Sequence, residues 1–160
     1  MAALAADRST VLDCPKGVPE RERAFKRLQK DGWVLHNLTA DLRGDSEVAL
    51  AAIRKHGRAL EFVPHGLRGD RELVLEAVRQ HGRALAFAHE SLRADREIVS
   101  EAVSQDGMAL EFASAELQSD RDLVLLAVRK DGNALPYASE SLRRDRALLI
   151  EATHQLGWAA

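Results

Sequence analysis

The chain has 160 residues, 46% hydrophobic and 30% charged, with 23 basic against 25 acidic side chains and a net charge of −2. This is enough apolar material for one compact domain or a short repeat array, and too much for a disordered chain. The charge balance excludes bulk attraction to nucleic acid or anionic lipid.

Aromatic residues make up only 4% of the chain, so the core must be built from Leu, Val and Ala. Cys14 is the single cysteine. It cannot form an internal bridge, which suits a reducing compartment. The stretch Met1–Gly17 is too polar for a signal peptide. No run approaches the roughly 18 apolar residues of a membrane span. The expectation is a soluble intracellular protein without membrane insertion, cytoplasmic by preference, with an organelle as the other option.

Residues 1–18 read as an N-terminal arm or degenerate half-repeat. Leu4–Val11 (LAADRSTV) echoes Leu92–Val99 (LRADREIV), but Pro15, Gly17 and Pro19 interrupt it before a full unit is made. Residues 19–31 predict a first helix. It starts at a proline whose missing N–H does no harm there. Arg23 and Arg27 stand where later helices carry apolar or small residues, the mark of a capping end unit.

From there the sequence repeats every 25 residues, as Asp45, Asp70, Asp95, Asp120 and Asp145 show. Gly32 to Gly157 and Leu42 to Leu142 keep the same step. A fixed period of this size is the signature of a solenoid. Each Asp sits at a helix N-cap position. An acidic residue follows in the first turn of most units, and Arg54, Arg79 and Arg129 fall in the last turn, both favoured by the helix dipole. The Gly that follows is read as a left-handed stop. These signals predict helices of about 12 residues. Leu73, Val74, Ala77 and Val78 form the buried stripe of one of them. The recurrent alanines Ala52, Ala77, Ala102, Ala127 and Ala152 let neighbouring backbones approach closely.

After each Gly comes a shorter segment with a recurrent Leu and then Phe62, Phe87, Phe112 or Tyr137. Phe87 and Phe112 are expected to be almost fully buried between units. Thr39, Ser114 and Ser139 stand where they would cap a one-turn helix, with Pro64 and His89 in their place elsewhere. A short strand at Leu60–Phe62, giving a leucine-rich-repeat-like horseshoe, is the competing reading. Helix is preferred because β-branched residues are rare here. The full repeats run over about 45–156, with a truncated end at 157–160. Trp33 and Trp158 follow the Gly in the first and last units only. Each either covers an end of the core or anchors a partner.

No catalytic, cofactor or metal site is expected. The histidines lack a zinc-like spacing, and no phosphate-binding glycine loop is present. The carboxylates recur as caps rather than as a converging pair. Two arginine rows, Arg43/Arg68/Arg93/Arg143 and Arg71/Arg96/Arg121/Arg146, could in principle track a phosphate backbone. Each Arg has an acid beside it, so local or inter-repeat ion pairs are the preferred reading. Leu126 departs from the Glu found at the equivalent outward position in three other units, and is expected to be exposed as a candidate contact.

The unit DREIVSEAVSQDGMALEFASAELQSD at Asp95–Asp120 resembles the repeats of the domain of unknown function 4116 family, over about Gly32–Trp158. The resemblance implies a tandem array and carries no catalytic residue or cofactor with it. The expected fold is all-α, a short right-handed-type α-solenoid of tandem 25-residue helix plus short-helix repeats. The expected function is a non-catalytic scaffold for protein–protein interaction within a larger assembly, its protein partner unidentified. The alternatives are a nucleic-acid binder using the Arg rows, or a regulatory subunit of an enzyme on another chain.

Overall fold

The computed structural model describes residues 19–157. Six long helices are laid side by side: α1 (Glu20–Lys30), α2 (Ser46–Lys55), α3 (Arg71–Gln80), α4 (Arg96–Gln105), α5 (Arg121–Lys130) and α6 (Arg146–Gln155). They start where the sequence places them. The Asp70 carboxylate accepts from the N–H groups of Glu72 and Leu73 at 2.9 and 3.3 Å, and Asp45, Asp95, Asp120 and Asp145 do the same for their helices. Two of the orphan donors of each first turn are thereby satisfied. At 10 residues, α2 to α6 are shorter than the sequence suggests.

The stop signal works differently from the expectation. Of the recurrent glycines only Gly157 is left-handed, at φ 71°; Gly32, Gly57, Gly82, Gly107 and Gly132 are not. α1 to α5 end instead on an extended residue, and in α2 to α5 its N–H returns to the carbonyl of the recurrent alanine (His81, at φ −149°, to Ala77, 2.9 Å), whereas Leu156 after α6 is helical. Glycine is required for a different reason. A β carbon on Gly57 would lie 2.6 Å from the Ala77 carbonyl oxygen of the next unit, and one on Gly132 would lie 2.6 Å from that of Ala152. Gly32, Gly82 and Gly107 face Ala52, Ala102 and Ala127 in the same way. Backbone meets backbone there, with room for a hydrogen only. The two small residues of the repeat are therefore two halves of one inter-unit contact.

From each Gly a six-residue 3₁₀ helix follows: Gly32–Asn37, Gly57–Phe62, Gly82–Phe87, Gly107–Phe112 and Gly132–Tyr137. There is no strand among the described residues, which removes the horseshoe alternative. Each of α2 to α5 packs against the helices on either side and over both its own 3₁₀ segment and that of the preceding unit. The result is a two-layer stack, with long helices on one side and 3₁₀ segments on the other. Its core is aliphatic: Val74, Val78, Ala84, Leu85, Val99 and Leu110 are all fully buried. Phe87 and Phe112, expected inside, are only half-buried. In a three-residue-per-turn segment the inward places go to Ala84, Leu85 and Ala88, or to Ala109, Leu110 and Ala113, which leaves the Phe at the margin.

A second period lies beneath the first. The last short element is a one-turn α-helix at Ala40–Arg43, Glu90–Arg93 and Glu140–Arg143, but a 3₁₀ turn at His65–Leu67 and Leu117–Ser119. Units alternate. In the 3₁₀ units the residue after the recurrent Leu folds back on its own unit. Arg68 donates to the carbonyls of Val63 and Glu61 at 2.8 and 2.9 Å, and the Gln118 amide donates to those of Leu110 and Glu111. The short elements are joined along the stack by backbone bonds of 2.9 Å, from His89 to Arg68, Ser114 to Arg93 and Ser139 to Gln118. Pro64 has no N–H to offer Arg43, so the ladder is open at the first joint.

Candidate functional site

The chemistry-bearing side chains fall into three groups: the arginine rows, an aromatic cluster near the first joint, and apolar side chains on the last two helices. In the first group, the Arg at the start of one helix reaches the capping Asp of the next. Arg21 pairs with Asp45 at 2.7 Å, Arg71 with Asp95 at 3.7 Å, Arg96 with Asp120 at 3.0 Å and Arg121 with Asp145 at 3.2 Å. Arg21 and Arg71 also contact Glu47 and Glu97. Position 46 is Ser, so Asp70 has no such partner and the α2–α3 joint lacks its ion pair.

These pairs shape the titration of the caps. The Arg21 guanidinium holds the Asp45 carboxyl below its ordinary value. Arg96 does the same for Asp120, with help from the Leu123 N–H. At Asp145 the Leu148 N–H is the larger cause and Arg121 the second. Arg21 and Arg96 are correspondingly raised. Arg71, Arg96 and Arg121 are thus in the inter-repeat ion pairs preferred on sequence, whereas Arg68 of the other row is bound to main-chain carbonyls.

The aromatic cluster lies across the α1–α2 joint. Trp33 meets Phe62 edge-on with centroids 5.7 Å apart, and the His56 ring at 5.9 Å. His36 lies 5.4 Å from Phe62, and the Arg58 guanidinium stands 6.0 Å from the Trp33 ring. His56 Nε2 is 3.6 Å from Asp31 Oδ1. Trp33 stays 36% exposed. It therefore clasps the next unit's 3₁₀ segment while leaving one side open. The sequence reading named Trp33 but missed His36, His56 and Phe62 as its neighbours. Their common signal was position: each lies in or directly beside a 3₁₀ segment of the first two units. Trp158, the matching residue, lies outside the described residues.

Leu126 is exposed at 36%, as its outward position requires. Beyond it, α6 exposes Leu149 at 43% and Ile150 at 52%, although the equivalent Val124 is fully buried under the next unit. Sequence reasoning passed over them: Leu149 fits the stripe, and Ile150 matches the recurrent Leu50, Leu75 and Leu125. Elsewhere, an open groove of about 430 Å³ runs along the ends of α3, α4 and α5, lined by Gln80, His81, Gln105, Asp106, Lys130 and Asp131. Arg83 reaches Asp106 across it at 3.2 Å. Among the described residues no three of His, Cys, Asp and Glu converge closely enough to hold a metal ion. None of the described helices is long and apolar enough to cross a membrane.

The family model described as domain of unknown function (DUF4116) matches residues 20–68, 70–118 and 120–159. Each of the first two matches spans one pair of units, beginning at α1 or α3 and ending at a 3₁₀ turn, in step with the alternating pair seen in the fold. No curated protein and no solved structure matches the chain. With three tandem matches covering most of its length, the chain belongs to the domain of unknown function (DUF4116) family.

Proposed function

We propose that the protein is a non-catalytic helical-repeat scaffold that binds another protein, as a small subunit of a larger assembly. One observation carries this reading: the capping aspartates and Arg21, Arg71, Arg96 and Arg121 are occupied in holding the stack together, and large apolar side chains stand exposed beside them. The five recurrent aspartates are helix caps, and Arg21, Arg71, Arg96 and Arg121 are in ion pairs with neighbouring units. Against them stand Trp33 and Leu126, exposed on units whose other stripe residues are buried. Trp is enriched at binding hot spots, and an outward Leu in a row of Glu is a plausible contact.

The same occupancy argues against the nucleic-acid alternative. Arginines already paired with carboxylates release few counterions on meeting a phosphate backbone. Single-strand binders also present aromatic rings for successive bases, whereas the ring cluster here is confined to one joint. The test combines two readouts on the full chain. Affinity capture from native extract, followed by mass spectrometry, is expected to recover a defined protein that is lost with Leu126→Glu or Trp33→Ala while the helical signal is retained. Fluorescence anisotropy with mixed-sequence RNA and DNA is expected to give no sub-micromolar binding at physiological salt. Tight, steeply salt-dependent oligonucleotide binding lost with Arg43, Arg93 and Arg143 neutralised would overturn the scaffold reading.

A further inference from the structure

The α2–α3 joint is built differently from the other joints among the described residues. Where the long helices start, Arg21, Arg71, Arg96 and Arg121 each reach the capping Asp of the next helix, whereas Ser46 offers Asp70 no cation. The turns leading into α3, α4, α5 and α6 are joined in sequence by the bonds from His89 to Arg68, Ser114 to Arg93 and Ser139 to Gln118. Pro64 cannot make the matching bond from the turn leading into α3 to Arg43 in the turn leading into α2. Farther along, Arg79 pairs with Glu101 at 3.5 Å and Arg129 with Glu151 at 3.3 Å, but Arg54 and Glu76, in the same register, do not pair. Inside the joint, buried Ala49 stands where Val74, Val99 and Val124 stand in the next three helices.

The polar and close backbone contacts that do hold this joint lie along one line. Gly57 approaches α3 so closely that a β carbon there would sit 2.6 Å from the Ala77 carbonyl oxygen. Arg68, in the turn leading into α3, donates to the carbonyls of Glu61 and Val63 at 2.9 and 2.8 Å. The first contact is at the start of the 3₁₀ segment Gly57–Phe62 and the second is at its end. The missing links belong instead to the long helices and their leading turns. We propose that the stack hinges here: α1 and α2 swing as one body against α3 to α6 about the segment Gly57–Phe62, and α2 parts from α3 on the long-helix side.

Each body is tied together on its own account. In the smaller one, Arg21 reaches Asp45, Trp33 meets Phe62 edge-on and His56 stands beside Asp31. In the larger one, every joint has both its ion pair and its backbone bond. Two such bodies, joined along one line by a short stretch at the end of an element, move as a hinge rather than by sliding. Trp33 rides on the smaller body and Leu126 on the larger, so the hinge sets the distance between these two exposed side chains.

Spin labels on the full chain, with Cys14→Ser removing the native thiol, read the motion directly. One pair, Gln29→Cys with Ser104→Cys, spans the α2–α3 joint, and a second, Glu72→Cys with Ala147→Cys, lies within α3 to α6. All four positions are exposed, and each pair is three inter-helix steps apart, roughly 24–30 Å. Double electron–electron resonance is expected to give a distance distribution about twice as wide for the first pair as for the second. Ser46→Arg supplies Asp70 with a cation, and Pro64→Ser supplies the Arg43 carbonyl with a donor. Together they should narrow the first distribution to the width of the second and leave the second unchanged. Ser46→Arg alone, at an exposed position, should narrow it in part, which keeps the test open if Pro64→Ser disturbs the fold. Equal widths in the chain without these latches overturn the inference, and so does a first distribution that Ser46→Arg leaves as wide as before. The inference is independent of the scaffold reading: a rigid stack leaves capture through Leu126 or Trp33 intact, and failure of capture leaves the distance distributions as they are.

Discussion

The two ends of the stack bury opposite halves of the same helix face. In α1 the buried residues are Ala24 and Leu28, while in α6 they are Leu148 and Ala152. In register, the first pair matches Val74 and Val78 and the second matches Leu73 and Ala77, all four of which are buried in the central helix α3. A repeat helix therefore has a backward half-face, Leu73 and Ala77, and a forward half-face, Val74 and Val78. Only the end helices separate them, because each has one neighbouring long helix among the described residues. The ends then differ in how the free half is treated. α1 places Arg23 and Arg27 on it, whereas α6 leaves Leu149 and Thr153. A repeat array needs a polar outer face at its ends. This one has it at the α1 end of the described residues and not at the other.

The largest effect should come from a test inside α6 itself. Leu148 and Leu149 are adjacent in sequence, but one is fully buried and the other 43% exposed. Leu148→Ala should cost about 2–5 kcal/mol, the usual range for a buried Leu. Leu149→Ala should stay within about 0.5 kcal/mol, as surface substitutions do. Urea unfolding of both variants, at a protein concentration where the chain is monomeric, checks the pair. Equal losses would mean that the two half-faces are not distinct.

Next in size is the glycine contact that fixes the spacing between the ends. Gly82 has the Ala102 carbonyl where a β carbon would go, whereas nothing lies within 4 Å of such an atom at Gly66. Gly82→Ala should destabilise by about 1–3 kcal/mol, as overpacking does. Gly66→Ala should be neutral or stabilising by about 0.4–1 kcal/mol, because it only removes freedom from the unfolded chain. Thermal melts of the two variants should move in opposite directions, or the Gly66 melt should not move at all.

These contrasts explain what the sequence could and could not convey. The period, the Asp caps and the polar first helix were legible because each is a local pattern with one physical cause. A glycine after a helix has two causes, a left-handed turn or a close approach. Choosing between them needs the neighbouring unit's carbonyl, which no local pattern contains. The alternation of short elements was written only in Pro64, Gly66 and the Ser114–Glu116 stretch, which read as substitutions within one repeat. The Phe positions misled because an apolar residue two after a buried Leu suits a strand or a partly buried 3₁₀ turn equally well. At the candidate site, exposure of Leu126 followed from its helical position. The Trp33–Phe62 contact joins residues of two different units across a joint and had no spacing signature.

The smallest expected effect compares the ion pairs at the two end joints, where the causes of the lowered cap pKa are ranked differently. For Asp45, in the α1–α2 joint, the bond from Arg21 comes first. For Asp145, in the α5–α6 joint, the Leu148 N–H comes before Arg121. Both carboxyls lie below the ordinary aspartate value of 3.8 when folded. Their contribution is therefore complete above that value and is lost as pH falls through the folded pKa, so the stack should weaken on the acid side. Removing the guanidinium should separate the two. In Arg21→Ala, the Asp45 carboxyl should climb most of the way back toward 3.8, because its leading cause is gone. In Arg121→Ala, Asp145 should keep the larger part of its depression, because the helix N-terminus still donates to it. Carboxyl chemical shifts followed by NMR titration measure both. A full return at Asp145 would mean that the salt link, and not the cap, sets the charge of that aspartate.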